Sequence, residues 1–476
     1  MTHYDPTAPL PEGTVVLQAS AGTGKTHAIA ALATRFLAEG VVPAENLAVI
    51  SFSRIASAEL RSRVRERLRS SYGLLLDGLA GKPAAPDDAT GQYLLDAPAS
   101  ELLGRVRRLK RAIVTLDSAN IMTIHEFCQA MLHELGVLAE QDPQATLVES
   151  LGQLVDQVVD DLYLARYAAN PMGAPFELSV ALDLGRAAVE RFDARLVPQG
   201  LAGVGAERLA FAEAVRAELA QRKRRLGVYS FDDQLLRLRD SLRQSAGTGA
   251  ERLRRRCRVV LVDEFQDTDP VQWEILRETF HGRVPLVLIG DPKQAIYAFR
   301  GADVTAYTDA VSTAGAHFSL TINHRADAAV VRGISALFQG VSMGPGIEVP
   351  LVTASHAASR LHAPIGTPWA APVRVRCVAA ASALDAAAAR QWITRDVVSE
   401  VTGLLSGHVE LLDGVVERAV RPDDIAILVS TNQRGRDLAA ALTAAGVAVA
   451  FSGSDSIFNS PAAKDWQTLL QCLEQP

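Results

Sequence analysis

The stretch Gln18-Ala-Ser-Ala-Gly-Thr-Gly-Lys-Thr26 decides the fold that we expect for this chain. A short apolar run, Thr14 to Leu17, precedes it, and a helical pattern from Lys25 to Leu37 follows. A strand, a glycine-bearing turn and a helix, in this order, form the context in which such a stretch binds phosphate. The sequence therefore predicts a phosphate-binding loop near the start of an α/β domain.

The residue types of this loop suit a nucleotide. Gly22 and Gly24 permit a tight turn whose backbone N–H groups point inward and attract an anion. Lys25 brings a positive charge for the outer phosphates, and the Thr26 hydroxyl is a ligand for Mg²⁺. The usual first glycine of the G-x-x-x-x-G-K-[ST] pattern is Ala19 here. The predicted cofactor-binding residues of the loop are Ala19, Ser20, Ala21, Gly22, Thr23, Gly24, Lys25 and Thr26.

Composition limits the class of protein. With 476 residues and 48% hydrophobic content, the chain is long enough for two or three globular domains. The net charge of −6 does not indicate a nucleic-acid binder, so any such site must depend on local patches. The four cysteines lack metal or redox spacing, no signal peptide is evident, and no apolar run is long enough for a bilayer. We expect a cytoplasmic protein without a membrane partner.

Two carboxylates follow a second apolar run. Val259 to Val262 reads as a core strand, and Asp263 and Glu264 come directly after it. The carboxyl ends of such strands are where open α/β sheets bind ligands. We expect Asp263 to hold Mg²⁺ through water and Glu264 to polarise the attacking water. The alternative for an isolated Asp-Glu pair is a solvated acidic turn.

Two further stretches are candidates for binding a nucleic acid. A predicted strand, Leu47 to Phe52, leads into a helix with Arg61, Arg65 and Arg69 on one face, which suits a phosphate backbone or is simply a solvated face. Another strand ends in a loop that contains Gln294, a candidate sensor of the γ-phosphate. Next come Tyr297, Phe299 and Arg300, whose rings and guanidinium suit stacking on bases or packing in a core.

The remaining segments suggest further organisation. Gly78 to Ser100 is rich in Ala, Gly, Pro and Asp and predicts a loop, and residues from about 138 to 227 predict a helical insertion. A second α/β pattern follows, with strands expected at the three segments Val373–Ala379, Asp424–Ser430 and Val447–Phe451. Ser460-Pro461 begins a last helix that ends with the chain, which we interpret as a truncation.

Six motifs in this order resemble one family. They are QASAGTGKT, VISFSRIASAELRSRVRERL, IMTIHEFCQAML, VLVDEFQDTDPVQWEIL, LVLIGDPKQAIYAFRGAD and LTINHRA. Together they are similar to the UvrD/RecB group of superfamily-one DNA helicases, and most similar to its RecB branch. An AddA-like or stand-alone UvrD-like helicase remains an alternative at this point.

The resemblance implies an α/β P-loop NTPase fold: a RecA-like parallel sheet flanked by helices, a helical insertion and part of a second RecA-like domain. The boundaries that we expect are 1–137 for the first part of the first RecA-like domain and 138–228 for the insertion. The first domain then continues over 229–318, and the incomplete second domain occupies 319–476.

The resemblance also implies roles for individual residues. ATP and Mg²⁺ are the expected cofactors, and Thr26 and Asp263 are the expected metal ligands. His324 occupies the position where relatives place an aromatic ring that stacks on adenine. The residues expected to take part in catalysis are Lys25, Asp263, Glu264, Gln294 and Arg325. Those expected along the DNA path are Phe52, Arg61, His125, Tyr297, Phe299 and Arg300.

The implied function is an ATP-dependent DNA helicase or translocase that acts on DNA ends in double-strand-break repair and recombination. Implied partners are single-stranded and double-stranded DNA ends and RecC- and RecD-like subunits. The chain lacks a UvrD-type glutamine motif, the last two helicase motifs and the RecB nuclease domain. The alternatives are therefore a nucleotide- and DNA-binding module without motor activity, or an unrelated P-loop ATPase.

Overall fold

A computed structural model describes most of the chain, and the chain forms two compact units. The first unit comprises Met1–Arg325 and Gln339–Thr353, and the second comprises Ala326–Phe338 and Ala354–Pro476. The described residues are 2–82, 88–139, 145–170, 173–190, 194–197, 202–297, 303–344, 346–378, 383–451, 458 and 460–474.

A parallel sheet of seven strands forms the centre of the first unit. In chain order its strands are β1 (Thr2–His3), β2 (Thr14–Ala19), β3 (Leu47–Ser51), β4 (Asn120–Thr123), β7 (Val259–Val262), β8 (Leu286–Gly290) and β9 (Ala316–Leu320). Their spatial order is β1-β9-β2-β8-β7-β3-β4. The predicted α/β fold with a parallel sheet is thus confirmed.

Both faces of this sheet are buried, which explains the continuous apolar runs of its strands. Val15 and Leu17 of β2 face one core, whereas Val16 between them faces the other. The first core is covered by α1 (Lys25–Ala38), α2 (Arg54–Leu79), α3 (Ala89–Leu95) and α4 (Ala99–Thr115). The second is covered by α5 (Ile124–Leu135), α9 (Phe231–Gln244), α10 (Thr248–Arg256), α11 (Pro270–Phe280) and α12 (Val304–Thr313).

Three helices between α5 and α9 have a core of their own. They are α6 (Gly152–Tyr167), α7 (Leu178–Glu190) and α8 (Val204–Leu226). The rings of Tyr163, Tyr167, Phe176 and Phe211 meet between them. The short strands β5 (Thr146–Leu147) and β6 (Val228–Tyr229) pair in parallel, so the two ends of this helical segment lie side by side.

The loop expected over Gly78 to Ser100 is wrong in part. Helix α2 continues to Leu79, and α3 occupies 89–95. Asp88 caps α3 by accepting a hydrogen bond from the Gly91 N–H at 2.9 Å. The glycines that suggested a loop instead permit close packing, since a Cβ on Gly78 would lie 2.2 Å from Leu95 Cδ2.

The second unit combines helices with a small antiparallel sheet. Strand β14 (Leu361–His362) pairs with β15 (Glu410–Asp413), which pairs with β16 (Val416–Ala419). Its helices are α13 (Ala328–Phe338), α14 (Ala386–Leu404), α15 (Asn432–Ala444) and α16 (Pro461–Glu474). Other short strands among the described residues are β10 (Ile322–Asp327), β11 (Ser342–Gly344), β12 (Ile347–Glu348) and β13 (Thr353–His356). Among the described residues, no helix combines the length and apolarity needed to cross a membrane.

The three strands expected late in the chain are not formed. The described residues of 373–379, 424–430 and 447–451 belong to no ladder. Ile427, Val429 and Val449 instead line a cavity of about 140 Å³ beside α15. Leu428 is 96% exposed. Apolar composition indicated burial here, but a strand also requires a hydrogen-bonded neighbour, and no ladder supplies one to these described segments.

One buried arginine attaches the N-terminal segment to the first unit. The side chain of Arg35 is 2% exposed, and its Nε donates to Glu39 Oε1 at 2.7 Å. Its Nη1 donates to the carbonyl oxygens of Pro6 and Ala8 at 2.8 and 2.6 Å. The guanidinium carbon lies 4.2 Å from the ring centroid of Tyr93. A single charge thus joins the N-terminal loop, α1 and α3.

We expect Arg35→Met to lower the free energy of unfolding by about 3 kcal/mol, because it leaves a carboxylate and two carbonyl groups without their donor. Urea denaturation measures the change. Arg255→Met is the matched control, since Arg255 is 78% exposed in its pair with Glu251. It should change stability by no more than about 0.5 kcal/mol. Equal effects of the two substitutions would contradict the role given to Arg35.

Candidate functional site

The predicted phosphate loop joins the carboxyl end of β2 to α1. Gly22 and Gly24 have φ angles of 77° and 88°, a left-handed conformation that favours glycine. The Thr23 hydroxyl donates to the Ser20 carbonyl at 2.7 Å and closes the turn. Gly24 directly precedes the first turn of α1, so the positive end of the helix dipole faces the space above the loop.

The segment Asn323 to Arg325 lies against this loop. The His324 N–H donates to the Gly22 carbonyl at 2.8 Å, and Asn323 Nδ2 donates to the Ala21 carbonyl at 3.0 Å. A Cβ on Gly22 would lie 2.8 Å from Arg325 Cβ, so only glycine permits this approach. The structure therefore brings His324 and Arg325 to the predicted nucleotide site.

The two predicted acids stand at the end of β7, next to the loop lysine. Lys25 Nζ lies 2.6 Å from Glu264 Oε2, and Gln266 Nε2 donates to the same oxygen at 2.8 Å. Glu264 has a φ of 51°, a left-handed conformation that costs a non-glycine residue on the order of 1–3 kcal/mol. The Glu264 N–H donates to Asp263 Oδ1 at 2.9 Å and helps to hold this conformation.

Two buried carboxyl groups near Glu264 have raised pKa values. Burial, reinforced by the charge of Glu264, raises the pKa of Asp263 to about 6. The same two causes raise the pKa of Asp267 to about 6. Lys25 opposes the shift at both positions. Both carboxyl groups therefore keep their protons to a higher pH than usual, and a cation bound beside them would favour their ionised forms.

Asp291, at the end of β8, connects the acidic segment to the phosphate loop. Its N–H donates to Gln266 Oε1 at 2.9 Å, and Gln294 Nε2 donates to its Oδ2 at 2.8 Å. Lys293 Nζ donates both to Asp291 Oδ1 at 2.5 Å and to Ser20 Oγ at 3.2 Å. Gln294 is therefore linked to the phosphate loop through Asp291 and Lys293. The sequence did not indicate these contacts.

The phosphate loop, Glu264 and the pair His324 and Arg325 line one cavity of about 640 Å³ within the first unit. This volume is typical of a pocket for a small organic ligand. Predicted residues on its wall are Gly22, Gly24, Lys25, Thr26, Glu264, His324 and Arg325. The sequence did not indicate the others on its wall, which are His27, Ala30, Glu59, Arg63, Glu66, Arg67 and Ser70. The helical stripe of Glu59, Arg63, Glu66, Arg67 and Ser70 was the signal that could have identified them.

The donor set suits a nucleotide-bound Mg²⁺. No group of three or more His, Cys, Asp or Glu side chains in the described ranges could hold a metal ion by itself. Mg²⁺ typically takes only one or two carboxylates and completes its shell with water and substrate phosphates. Asp263 and the Thr26 hydroxyl are the residues that would hold it here.

Two ring pairs form at the same edge of the sheet as the cavity. Phe52, just after β3, lies with its ring centroid 5.0 Å from that of Tyr297. His125, at the start of α5, lies 4.8 Å from Phe231, a partner that the sequence did not suggest. Burial lowers the pKa of His125, which favours the neutral imidazole. Each of the predicted rings Phe52, Tyr297 and His125 therefore packs against another ring.

Arg61, another predicted DNA-binding residue, has a partner within the fold. Arg61 Nη2 donates to the Ile121 carbonyl at 2.5 Å, so its guanidinium supports the start of β4. Its neighbour Arg65 pairs with Asp117 at 2.6 Å. Phe299 and Arg300 lie outside the described residues. The arginine stripe therefore has internal partners for at least two of its members.

We expect Asp267→Asn to stabilise the nucleotide-free chain at pH 8 by about 2 kcal/mol, because the buried carboxylate is costly when charged. In the folded chain this carboxyl keeps its proton up to about pH 6, against 3.8 for the ordinary group. The wild type therefore loses stability relative to the variant as pH rises from about 4 to about 6, the difference stays level above pH 6, and it vanishes below pH 4. Urea unfolding between about pH 4 and pH 8 measures this, and a difference independent of pH would contradict it.

Comparison with known proteins identifies the family. Residues 4–314 match the UvrD/REP helicase N-terminal domain. The chain is similar to the RecBCD enzyme subunit RecB of Mycolicibacterium smegmatis, with 41% identity over 98% of this chain and 42% of the relative. The RecB subunit of Mycobacterium tuberculosis is 38% identical over 100% of this chain and 44% of the relative. The RecB subunit of Escherichia coli is 26% identical over 98% of this chain and 50% of the relative. The chain thus spans half or less of the length of these relatives, and it belongs to the UvrD/REP helicase family as a RecB-like member.

Proposed function

We propose that this chain is the motor portion of a RecB-like, ATP-dependent DNA helicase that acts on DNA ends during double-strand-break repair and recombination. The observation that carries the proposal is the convergence of Lys25, Glu264 and Arg325 on one cavity. A lysine, a water-activating acid and an arginine around one phosphate loop are the parts that phosphoryl transfer to water requires. The family membership supports the same chemistry.

Lys25 is the first residue that must move when a nucleotide enters. In the structure its ammonium group is paired with Glu264 at 2.6 Å. Phosphate oxygens offer Lys25 a competing set of negative charges, so its pairing is expected to shift from Glu264 to the nucleotide. Glu264 then accepts a proton from water, and Gln266 remains as the donor that holds its carboxylate in place.

Bound Mg²⁺ would neutralise the developing charge on the phosphates. Asp263 and Thr26 would hold it, and the positive charge would favour the ionised form of Asp263, whose pKa is raised by burial. Arg325 is proposed to contact the γ-phosphate, and Gln294 to report the nucleotide state to Asp291. We propose His324 as a residue that flanks the base.

For DNA we propose a path along the carboxyl edge of the sheet. The Phe52 and Tyr297 pair and the His125 and Phe231 pair both lie there. Aromatic rings beside a backbone-binding groove suit single strands, because every base has a face on which a ring can stack. Gln294 and Tyr297 are only three residues apart. A movement of Gln294 on nucleotide binding would therefore displace Tyr297 and alter its contact with DNA.

The relatives support a proposal about partners, since their names describe a subunit of the RecBCD enzyme. We propose RecC- and RecD-like subunits as partners, DNA ends as substrate and the cytoplasm as location. We also propose RecA-like domain boundaries at 138, 229 and 319. A binding module without motor activity is the competing function, and ATP turnover distinguishes the two.

We expect the chain to bind ATP and to hydrolyse it slowly, with stimulation by single-stranded DNA, and Glu264→Gln to reduce this rate at least about 100-fold while ATP still binds. Lys25→Met should weaken binding as well, since it removes the charge that meets the phosphates. Steady-state turnover and binding of a fluorescent ATP analogue measure the two quantities. Binding without turnover in the wild type would favour the binding module.

We expect Tyr297→Ala to weaken binding of single-stranded DNA by about 1–3 kcal/mol, the usual value of one stacked base. Tyr297→Phe is the matched control, because it keeps the ring and should keep the affinity. Fluorescence anisotropy with a labelled oligonucleotide, at several salt concentrations, measures both. Stacking involves no counterion release, so a change in the salt slope would indicate that Tyr297 acts otherwise.

A further inference from the structure

The cavity has a second end that the phosphate chemistry leaves unused. Its wall along α2 carries Glu59, Arg63, Glu66, Arg67 and Ser70. The charge of Glu59 contributes to the raised pKa of Asp263, so Glu59 lies at the end of the cavity nearest the catalytic acids. Arg67 follows eight residues later on the same helix, roughly 12 Å further along its axis. This separation is comparable with the length of a nucleotide from its outer phosphate to its base.

Arg67 is held in place, unlike its neighbour Arg63. Its side chain is 14% exposed and its Nη2 donates to Asp88 Oδ1 at 2.6 Å. Arg63, by contrast, is 57% exposed and has only loose contacts, at 3.5 Å or more, with Glu59 and Glu66. The plane of the Arg67 guanidinium is therefore oriented before any ligand arrives.

Asp88 is fixed in turn, because its Oδ1 also accepts the Gly91 N–H. Burial pushes the pKa of Asp88 upward, but the hydrogen bonds from Arg67 and Gly91 outweigh it and lower the pKa. The carboxyl is thus a stable anion that orients Arg67. The Nε atom of Arg67 is buried and has no hydrogen-bond partner among the described residues, so Asp88 satisfies only part of the guanidinium.

His27 lies near Arg67, Asp88 and His324, since the charges of all three act on its imidazole. Both histidines also adjoin the phosphate loop, because a Cβ on Gly24 would be 3.9 Å from His27 Cβ and from His324 Cδ2. Desolvation, followed by the charge of Arg67, lowers the pKa of His27, which favours a neutral ring. Neutral imidazoles and an oriented guanidinium are groups that pack against the face of a heterocyclic base.

We propose that Arg67, oriented by Asp88 and accompanied by His27, contacts the base of the bound nucleotide and supplies the base recognition for which the chain has no UvrD-type glutamine motif. This inference rests on the proposed function, since it concerns the same nucleotide cavity. Arg67 and His27 are binding residues in this scheme, and Asp88 is a positioning residue.

Two ligands separate base recognition from phosphate binding: MgATP, and inorganic tripolyphosphate with Mg²⁺. Isothermal titration of the whole chain gives a Kd for each. We expect Arg67→Lys and Asp88→Asn each to weaken ATP about tenfold, the size of a partly desolvated cation–π contact, and to leave tripolyphosphate unchanged. Lysine retains the charge but not the planar fork, and asparagine retains the helix cap.

Arg65→Ala is the matched control, since Arg65 lies on the same helix but pairs with Asp117 away from the cavity wall. It should change neither Kd. Equal weakening of both ligands by Arg67→Lys would overturn the proposal, because it would show a general effect of charge or folding. Unchanged ATP affinity would overturn it as well. If the wild type binds neither ligand, the proposed function itself fails, and the two failures are thereby distinguished.

Discussion

The parallel pairing of β2 with β8 on one side and β9 on the other is the constraint on which the site depends. In a parallel sheet all carboxyl ends lie at one edge, so the residues that follow each strand meet there. The phosphate loop follows β2, the acids follow β7, and Asp291 follows β8. Asn323 to Arg325 come shortly after β9. Segments that are hundreds of residues apart in sequence thus become neighbours because their strands share one direction.

At that edge, polar contacts link these segments. Lys25 meets Glu264, Gln266 supports Glu264, and the Asp291 N–H donates to Gln266. Lys293, which also donates to Asp291, donates a hydrogen bond to Ser20 in the phosphate loop. A change at one of these groups therefore alters the surroundings of the others. Glu264 keeps a strained left-handed conformation within this set, which is consistent with a position held for chemistry and not for stability alone.

The unused end of the cavity shows how a helix can extend a site. Helix α2 begins at the edge of the sheet and runs past the loop, so its side chains form a wall from Glu59 to Ser70. Arg67 is fixed by Asp88, which also caps the helix that follows. A segment that composition predicted to be a loop therefore supplies the group that orients a binding residue.

The sequence by itself determined the phosphate loop, the buried strands of the main sheet, the acids after β7 and the family. These depend on local patterns: glycines where φ is positive, apolar runs of strand length, and motifs in a fixed order. It did not reveal that Arg61 supports the Ile121 carbonyl, that His125 meets Phe231, or that Arg67 reaches Asp88. It also predicted strands at 424–430 and 447–451 that no ladder in the described chain completes. Only the tertiary structure decided these points, because the partner of a side chain or of a strand edge lies far away in sequence and no local pattern encodes it.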